Sequence, residues 1–181
     1  PTDPVAFAAQ IRDPDAHPFQ TPSGKIEIYS TTLAANPNPY GLGVIPPIPT
    51  WFAPDDDATR FPLSLCTPKS RARTHSIHGN QPGLARVDPD TVWIHPVDAV
   101  RRGIADGQKV RVFNDIGATV MPAQVTDRIA PGVVSIKEGA WFTPDDNGVD
   151  TTGCANALTT DRAAPCGATT YNTNQVEIEP A

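Results

Sequence analysis

Cysteine is scarce: Cys66, Cys154 and Cys166 are all that 181 residues contain. An odd number at wide spacing makes neither a disulfide framework nor a CxxC metal or iron–sulfur site. No apolar run approaches the roughly 18 residues that span a bilayer, and no basic-apolar leader is present. By its own signals, then, nothing in this stretch is exported or membrane-spanning. Positive charge is in deficit, with a net charge of −6. That disfavours nonspecific binding to nucleic acid or anionic membrane, both of which need a cationic surface. The motifs of several enzyme classes are missing too. There is no GxGxxG or Walker loop for a nucleotide, and no Gly-x-Ser-x-Gly elbow for a serine nucleophile. His75 and His78 form an i,i+3 pair, but His17 and His95 are far away in sequence, so no zinc ligand set is complete. The run from Asp145 to Gly148 lacks the distal glutamate of a calcium loop.

What is present is proline, 21 residues against 13 glycines. Proline at that level breaks helices and edges strands, so the chain should consist of short strands and long ordered loops. A hydrophobic content of 39% is enough for a sizeable core in one domain with an arm. A chain opening at Pro1 instead of at a methionine reads as a fragment or processed product.

Residues 91–138 organise the rest. Residues 92–94 read as a strand, followed by a helix over 96–102 opened by Pro96 and closed by Gly103. Turns at Asp106-Gly107, 115–117 and Pro131-Gly132 separate strands over 109–114, 118–126 and 133–137. Val110, Val112 and Val120 alternate with period two, as a strand buried on one face requires. Short strands linked by tight turns around one short helix point to a barrel. Outside this stretch, 61–66 and 175–179 read as further strands, and residues 25–29 as an edge strand. Prolines confine any helix of the first twenty residues to 5–11. The proline-rich loop 36–58 should be pinned by Trp51 and Phe52. The expected boundaries are an arm and loop over 1–58 and a barrel over 59–181.

Two polar loops hang on this barrel. Residues 67–83 carry Lys69, Arg71 and Arg73 within five positions, with His75, Ser76, His78 and Asn80 beyond them. Such a set can grip phosphate by charge-assisted bonds and a heterocycle by directional ones. It equally describes a solvated loop, its cations paired with carboxylates such as Asp88 or Asp90. Residues 139–174 form the second loop, dense in Asn and Thr after Trp141. No pair of carboxylates declares itself as acid and base, so the residues themselves name no catalytic group.

The phrases TPSGKIEIYS, FPLSLCTPKSRARTHSIHGN, WIHPVDAVRRGIADGQKVRVFNDIGA, APGVVSIKEGAW, GCANALTTDR and NTNQVEIE occur here in that order. Together they resemble the C-terminal domain of the dimethyl sulfoxide reductase superfamily of molybdopterin oxidoreductases. The tail is nearest the catalytic subunits of anaerobic dimethyl sulfoxide reductases. The resemblance implies a mainly β fold: a six-stranded double-psi β-barrel with one or two short helices and long ordered loops. It also implies a site that holds molybdenum bis(molybdopterin guanine dinucleotide) in the full-length enzyme. Carried onto this chain, the cofactor-binding positions are Thr67, Lys69, Arg73, His75, Ser76 and Asn80 in the first loop, and Trp141, Asn156, Thr173 and Asn174 in the second. The implied reaction is reduction of an S- or N-oxide by the whole enzyme, the isolated chain being inactive and free of cofactor. The implied partners are the N-terminal domains of the same subunit, where an iron–sulfur cluster is compatible with the resemblance, together with an iron–sulfur electron-transfer subunit and a membrane anchor. The implied setting is bacterial or archaeal, periplasmic or membrane-associated through partners, with a cytoplasmic one compatible. A stand-alone double-psi module without redox activity is the rival reading, because fold does not fix function.

Overall fold

In the computed structural model, described over residues 5–39, 41, 43–51, 59–160 and 173–181, six strands close a barrel. They are β1 (Leu63–Cys66), β2 (Val92–Ile94), β3 (Lys109–Phe113), β4 (Ala118–Val125), β5 (Val133–Ser135) and β6 (Gln175–Pro180), adjacent in the order β1-β5-β2-β4-β3-β6. The β1–β5 and β2–β4 pairs are parallel and the other four antiparallel. Full closure removes the free sheet edges that a small β protein must otherwise protect. The chain is mainly β, as expected.

Alternate residues from every strand fill the interior. Leu63 and Leu65, Val92 and Ile94, Val110 and Val112, Met121 and Ala123, and Val176 and Ile178 are buried in one cluster with Val134 and Ile136. Each such side chain contributes on the order of 1.5–3 kcal/mol by leaving water. The expected alternation fails at one position. Val120 does not continue the inward set of Val110 and Val112, because Val112 pairs with Thr119 and Val110 with Met121. The inward residues of β4 are therefore Thr119, Met121 and Ala123, all buried.

Between β2 and β3 lies helix α4 (Pro96–Arg102), numbered after α1 (Ala8–Arg12), α2 (Thr31–Ala35) and α3 (Pro82–Val87). Its ends follow the sequence signals. His95 Nδ1 accepts from the Val97 N–H at 3.2 Å, Pro96 takes the first turn, and Gly103 closes the helix at φ 66°. The Ile104 N–H then reaches back to the Ala99 carbonyl, which satisfies an otherwise orphaned acceptor. Asp98 is buried and accepts from the Gly132 N–H at 2.7 Å, while Arg102 forms a bidentate pair with Glu177 of β6. Helices α2 and α3 were not expected; Ser30 Oγ caps the one and Pro82 opens the other.

The chain divides into compact units over Pro1–Ala53 and Pro54–Ala181. Among the described residues of the first unit none is buried. Helix α1 starts and ends slightly later than the expected span. The expected edge strand over 25–29 is absent, because among the described residues of the unit no strand offers it an edge. Trp51 is 82% exposed, so it pins no loop. Phe52 and Cys166 lie outside the described residues.

Candidate functional site

Strand direction decides where the loops meet. β1 and β5 run parallel, Ser64 opposite Val133 and Cys66 opposite Ser135, so both leave the barrel at one end. β6 runs antiparallel to β1, with Leu63 opposite Val176, so it enters at that same end. The Leu65 N–H donates to the Asn174 carbonyl at 2.9 Å and fixes that entry. The segments 67–83, 136–160 and 173–174, scattered along the chain, therefore converge on one mouth.

The root of the first loop is held by Asp88, whose carboxylate accepts from Ser70 Oγ at 2.8 Å, the Arg71 N–H at 2.9 Å and Lys137 Nζ at 2.6 Å. Burial opposes its ionisation, but the bonds from Lys137, Ser70 and Arg71 outweigh burial and lower its pKa to about 2. Arg73 lies next to it, its guanidinium bidentate to Asp90 at 2.6 and 2.8 Å and donating to the Glu138 carbonyl at 3.1 Å. Its side chain is only 8% exposed, and its Nε is buried with no hydrogen-bond partner.

The tip of this loop is tight. Thr74 and Ile77 bridge, and His75 and His78 adopt left-handed conformations at φ 52° and 72° that are rare for residues with a side chain. Gly139 passes directly beneath. A Cβ there would lie 1.9 Å from the His75 carbonyl oxygen, so glycine is required by space as well as by its φ of 93°. Trp141 completes the junction, its Nε1–H donating to the Ser76 carbonyl at 2.7 Å while its ring lies against Gly79. On the outer surface Glu138 Oε1 takes Lys69 Nζ at 3.0 Å and stands 3.2 Å from His75 Nδ1.

The second loop turns around Asp150, which is fully buried. Its oxygens accept from Thr119 Oγ1 at 2.6 Å, Thr143 N at 2.9 Å, Thr152 Oγ1 at 2.9 Å, Thr152 N at 3.2 Å and Cys154 N at 2.7 Å. Burial raises its pKa, and the donors led by Thr119 more than reverse that, leaving the carboxyl below the usual range. Burial first, and the Asp150 charge after it, push the Cys154 thiol upward, which makes it a packing residue and a poor nucleophile. The bond to Asp150 explains why Thr119, a polar residue, is buried among the inward residues of β4. Beyond it a 3₁₀ helix (Ala155–Leu158) buries Leu158 and exposes Asn156, which lines a cavity of about 350 Å³ with Phe142, Ile116 and Cys154.

Of the expected positions, the structure joins Lys69, Arg73, His75, Ser76 and Trp141 in one cluster. Asn80 is exposed in the same loop, and Thr67 is half-buried where β1 ends. Asn156 lies beside the separate cavity. Thr173 is exposed, and Asn174, 2% exposed, accepts from the Thr160 N–H at 3.0 Å through Oδ1. The Asn174 Nδ2 is buried without a partner. The stretch 161–172 of the second loop lies outside the described residues. Sequence reasoning did not single out Lys137, Glu138, Gly139 or Asp150. Only Gly139, beside Trp141 at the end of a strand, carried a local signal. Among the described residues, no three of His, Cys, Asp and Glu gather as a metal site, and no helix is long and apolar enough to cross a membrane.

The orphaned donors on Arg73 and Asn174, at a mouth rich in N–H and O–H groups, suit a ligand made mostly of acceptor atoms. Comparison with known proteins agrees in kind. Residues 63–175 match the molydopterin dinucleotide binding domain family. Over 98% of its length the chain is 40% identical to dimethyl sulfoxide reductase DmsA of Haemophilus influenzae, and over 97% it is 43% identical to DmsA of Escherichia coli. It spans about a quarter of the length of these curated relatives, 24% and 23%. Among solved structures, acetylene hydratase from Pelobacter acetylenicus shares the fold with a TM-score of 0.72 at 20% identity, over 93% of this chain and 25% of that one.

Proposed function

Since the chain belongs to the molydopterin dinucleotide binding domain family, we propose that its loop-bearing mouth holds the molybdenum bis(molybdopterin guanine dinucleotide) of a dimethyl sulfoxide reductase-like subunit. The observation that carries this reading is the convergence of segments 67–83, 136–160 and 173–174 on one barrel end, with buried donors that no protein acceptor meets. In the whole enzyme the reaction would be the two-electron reduction of an S- or N-oxide, and the bound cofactor supplies that redox chemistry. This chain binds, orients and shields.

The residues divide by their position at the mouth. Lys69 and His75, exposed beside Glu138, and Asn80 farther along the loop, serve the phosphates. Asn174 serves the pterin through Nδ2, with Thr173 and Thr67 at the rim. Arg73 has only its Nε left for a ligand. Its bidentate bond to Asp90 and its bond to Glu138 lock the first loop to the strands, so it positions Ser76 and His75. Trp141 does the same through the Ser76 carbonyl. Asn156, beside its own cavity, would serve a different part of an extended ligand. Electron delivery, through an iron–sulfur subunit and a membrane anchor, belongs outside this chain in the same reading.

The test uses the full-length subunit. Asn174→Asp keeps the acceptor for the Thr160 N–H and removes the orphaned donor. Molybdenum by elemental analysis and guanine released by acid should both fall at least fivefold. Lys69→Ala, at an exposed side chain, should lower both at least twofold with folding intact. Normal molybdenum and guanine in both variants would overturn the reading. Absence of bound guanine from the wild-type subunit would favour the plain binding module instead.

A further inference from the structure

Residues 25–29, Lys-Ile-Glu-Ile-Tyr, alternate like a strand yet belong to none. Ile26 and Ile28 are 74% and 76% exposed on what would be one face, and Tyr29 is half-exposed. Among the described residues no hydrogen bond engages the N–H of Ile26, Glu27, Ile28 or Tyr29. The ends of the segment, by contrast, are fixed. Gly24, at φ 70°, closes the preceding turn by donating to the Thr21 carbonyl, and the Ser30 N–H donates to the Pro47 carbonyl at 2.8 Å. Glu27 is already used, accepting from the Ser23 N–H at 2.9 Å. The arrangement is an amphipathic, strand-patterned segment with anchored ends and, among the described residues of its unit, neither a sheet to join nor an apolar surface to cover.

We propose that residues 25–29 add as an edge strand to an open sheet edge in the part of the subunit outside this chain, with Ile26 and Ile28 entering an apolar groove there. Backbone pairing would satisfy the row of free N–H and C=O groups, and the two isoleucines would select the site. This partner is favoured over a second copy by the company the segment keeps. The structural likeness reaches into Pro1–Ala53, and the relatives match almost the whole chain, each time as about a quarter of a longer polypeptide. A unit whose described residues include none that is buried, carried in chains of that size, fits a strap whose core lies elsewhere in the same polypeptide. The inference rests on the proposed function only in taking the remainder of the subunit as the partner.

Hydrogen–deuterium exchange on peptides spanning 25–29 tests it. About two of the four amides, those facing the new neighbour, should exchange at least tenfold more slowly in the full-length subunit than in the 181-residue chain alone. Ile26→Lys with Ile28→Lys should abolish that protection and raise proteolytic cleavage at the segment at least tenfold in the full-length subunit. In the 181-residue chain the same pair should change neither. Equal exchange in the two wild-type proteins overturns the proposal. Protection in the isolated chain also overturns it, in favour of a second copy if sedimentation shows a dimer, or of the chain's own barrel if it shows a monomer. Full molybdenum and guanine content alongside unprotected 25–29 amides would sink the strap and leave the cofactor reading intact.

Discussion

Asp88 and Asp150 are both buried carboxylates that anchor a loop at the same barrel mouth, yet they are kept ionised by different means. Asp88 has a counter-charge, Lys137, at 2.6 Å, with both side chains nearly out of solvent. Among the described residues Asp150 has none. Its partners are two threonine hydroxyls and three backbone N–H groups, all neutral. The first arrangement gives a loop root that depends on one remote residue, delivered by β5. The second gives a loop folded around its own backbone, in which the carboxylate replaces the partners that a helix or strand would have provided. The lesson is that a polar loop on a small barrel needs a buried hub, and that oriented neutral dipoles serve as well as an opposite charge.

If that comparison holds, the largest effect belongs to Asp150→Ala. It strands five donors at once, some of which water can reach, and each orphan costs about 1–3 kcal/mol. We expect about 4 kcal/mol lost from unfolding stability in urea. A loss below about 1 kcal/mol would mean that the loop does not depend on its hub.

A smaller effect, and one that separates the two hubs, comes from Lys137→Met. It leaves Asp88 buried without its counter-charge, for an expected loss of about 3 kcal/mol. Adding Asp88→Asn should recover part of that loss. Acid unfolding sharpens the point. Asp88 has a folded pKa of about 2 against an ordinary value of 3.8. A depressed pKa means that the stability it contributes, about 2 kcal/mol, is fully present above the unfolded value and is lost as pH falls from about 4 through 2. Asp88→Asn should lack that part of the acid limb. Asp150 shifts in the same direction, so its share of the limb should survive in the Asp88 variant.

The smallest effect is expected at Lys69. Its side chain is 70% exposed and its partner Glu138 29%, so Lys69→Ala should change the stability of this chain by less than about 0.5 kcal/mol, as read by thermal melting. A larger change would show that the outer ion pair helps to hold the loop, against the division drawn here between buried hubs and exposed cations.

Much of this was legible beforehand. Strand positions, the caps of α4 at Pro96 and Gly103, and the polarity of segment 67–83 all follow from nearest-neighbour rules, so local sequence determined them. The family phrases, for their part, pointed to the loops that meet at one barrel end. Three things followed no local rule. Val120 alternates correctly with Val112, but the turn at 115–117 sets a register that turns Thr119 inward, toward Asp150. Arg73 sits in a basic run that reads either as a phosphate grip or as a solvated loop paired with Asp88 or Asp90; Asp90 does pair with it, but the Glu138 carbonyl joins in and the guanidinium is buried. Residues 25–29 have the pattern of a strand, and a strand forms only where another edge exists to receive its hydrogen bonds. Periodicity and capping act within a few residues, so sequence determines them alone. Register, ion-pair choice and strand pairing depend on groups brought together across dozens of residues, and only the closed barrel decided them.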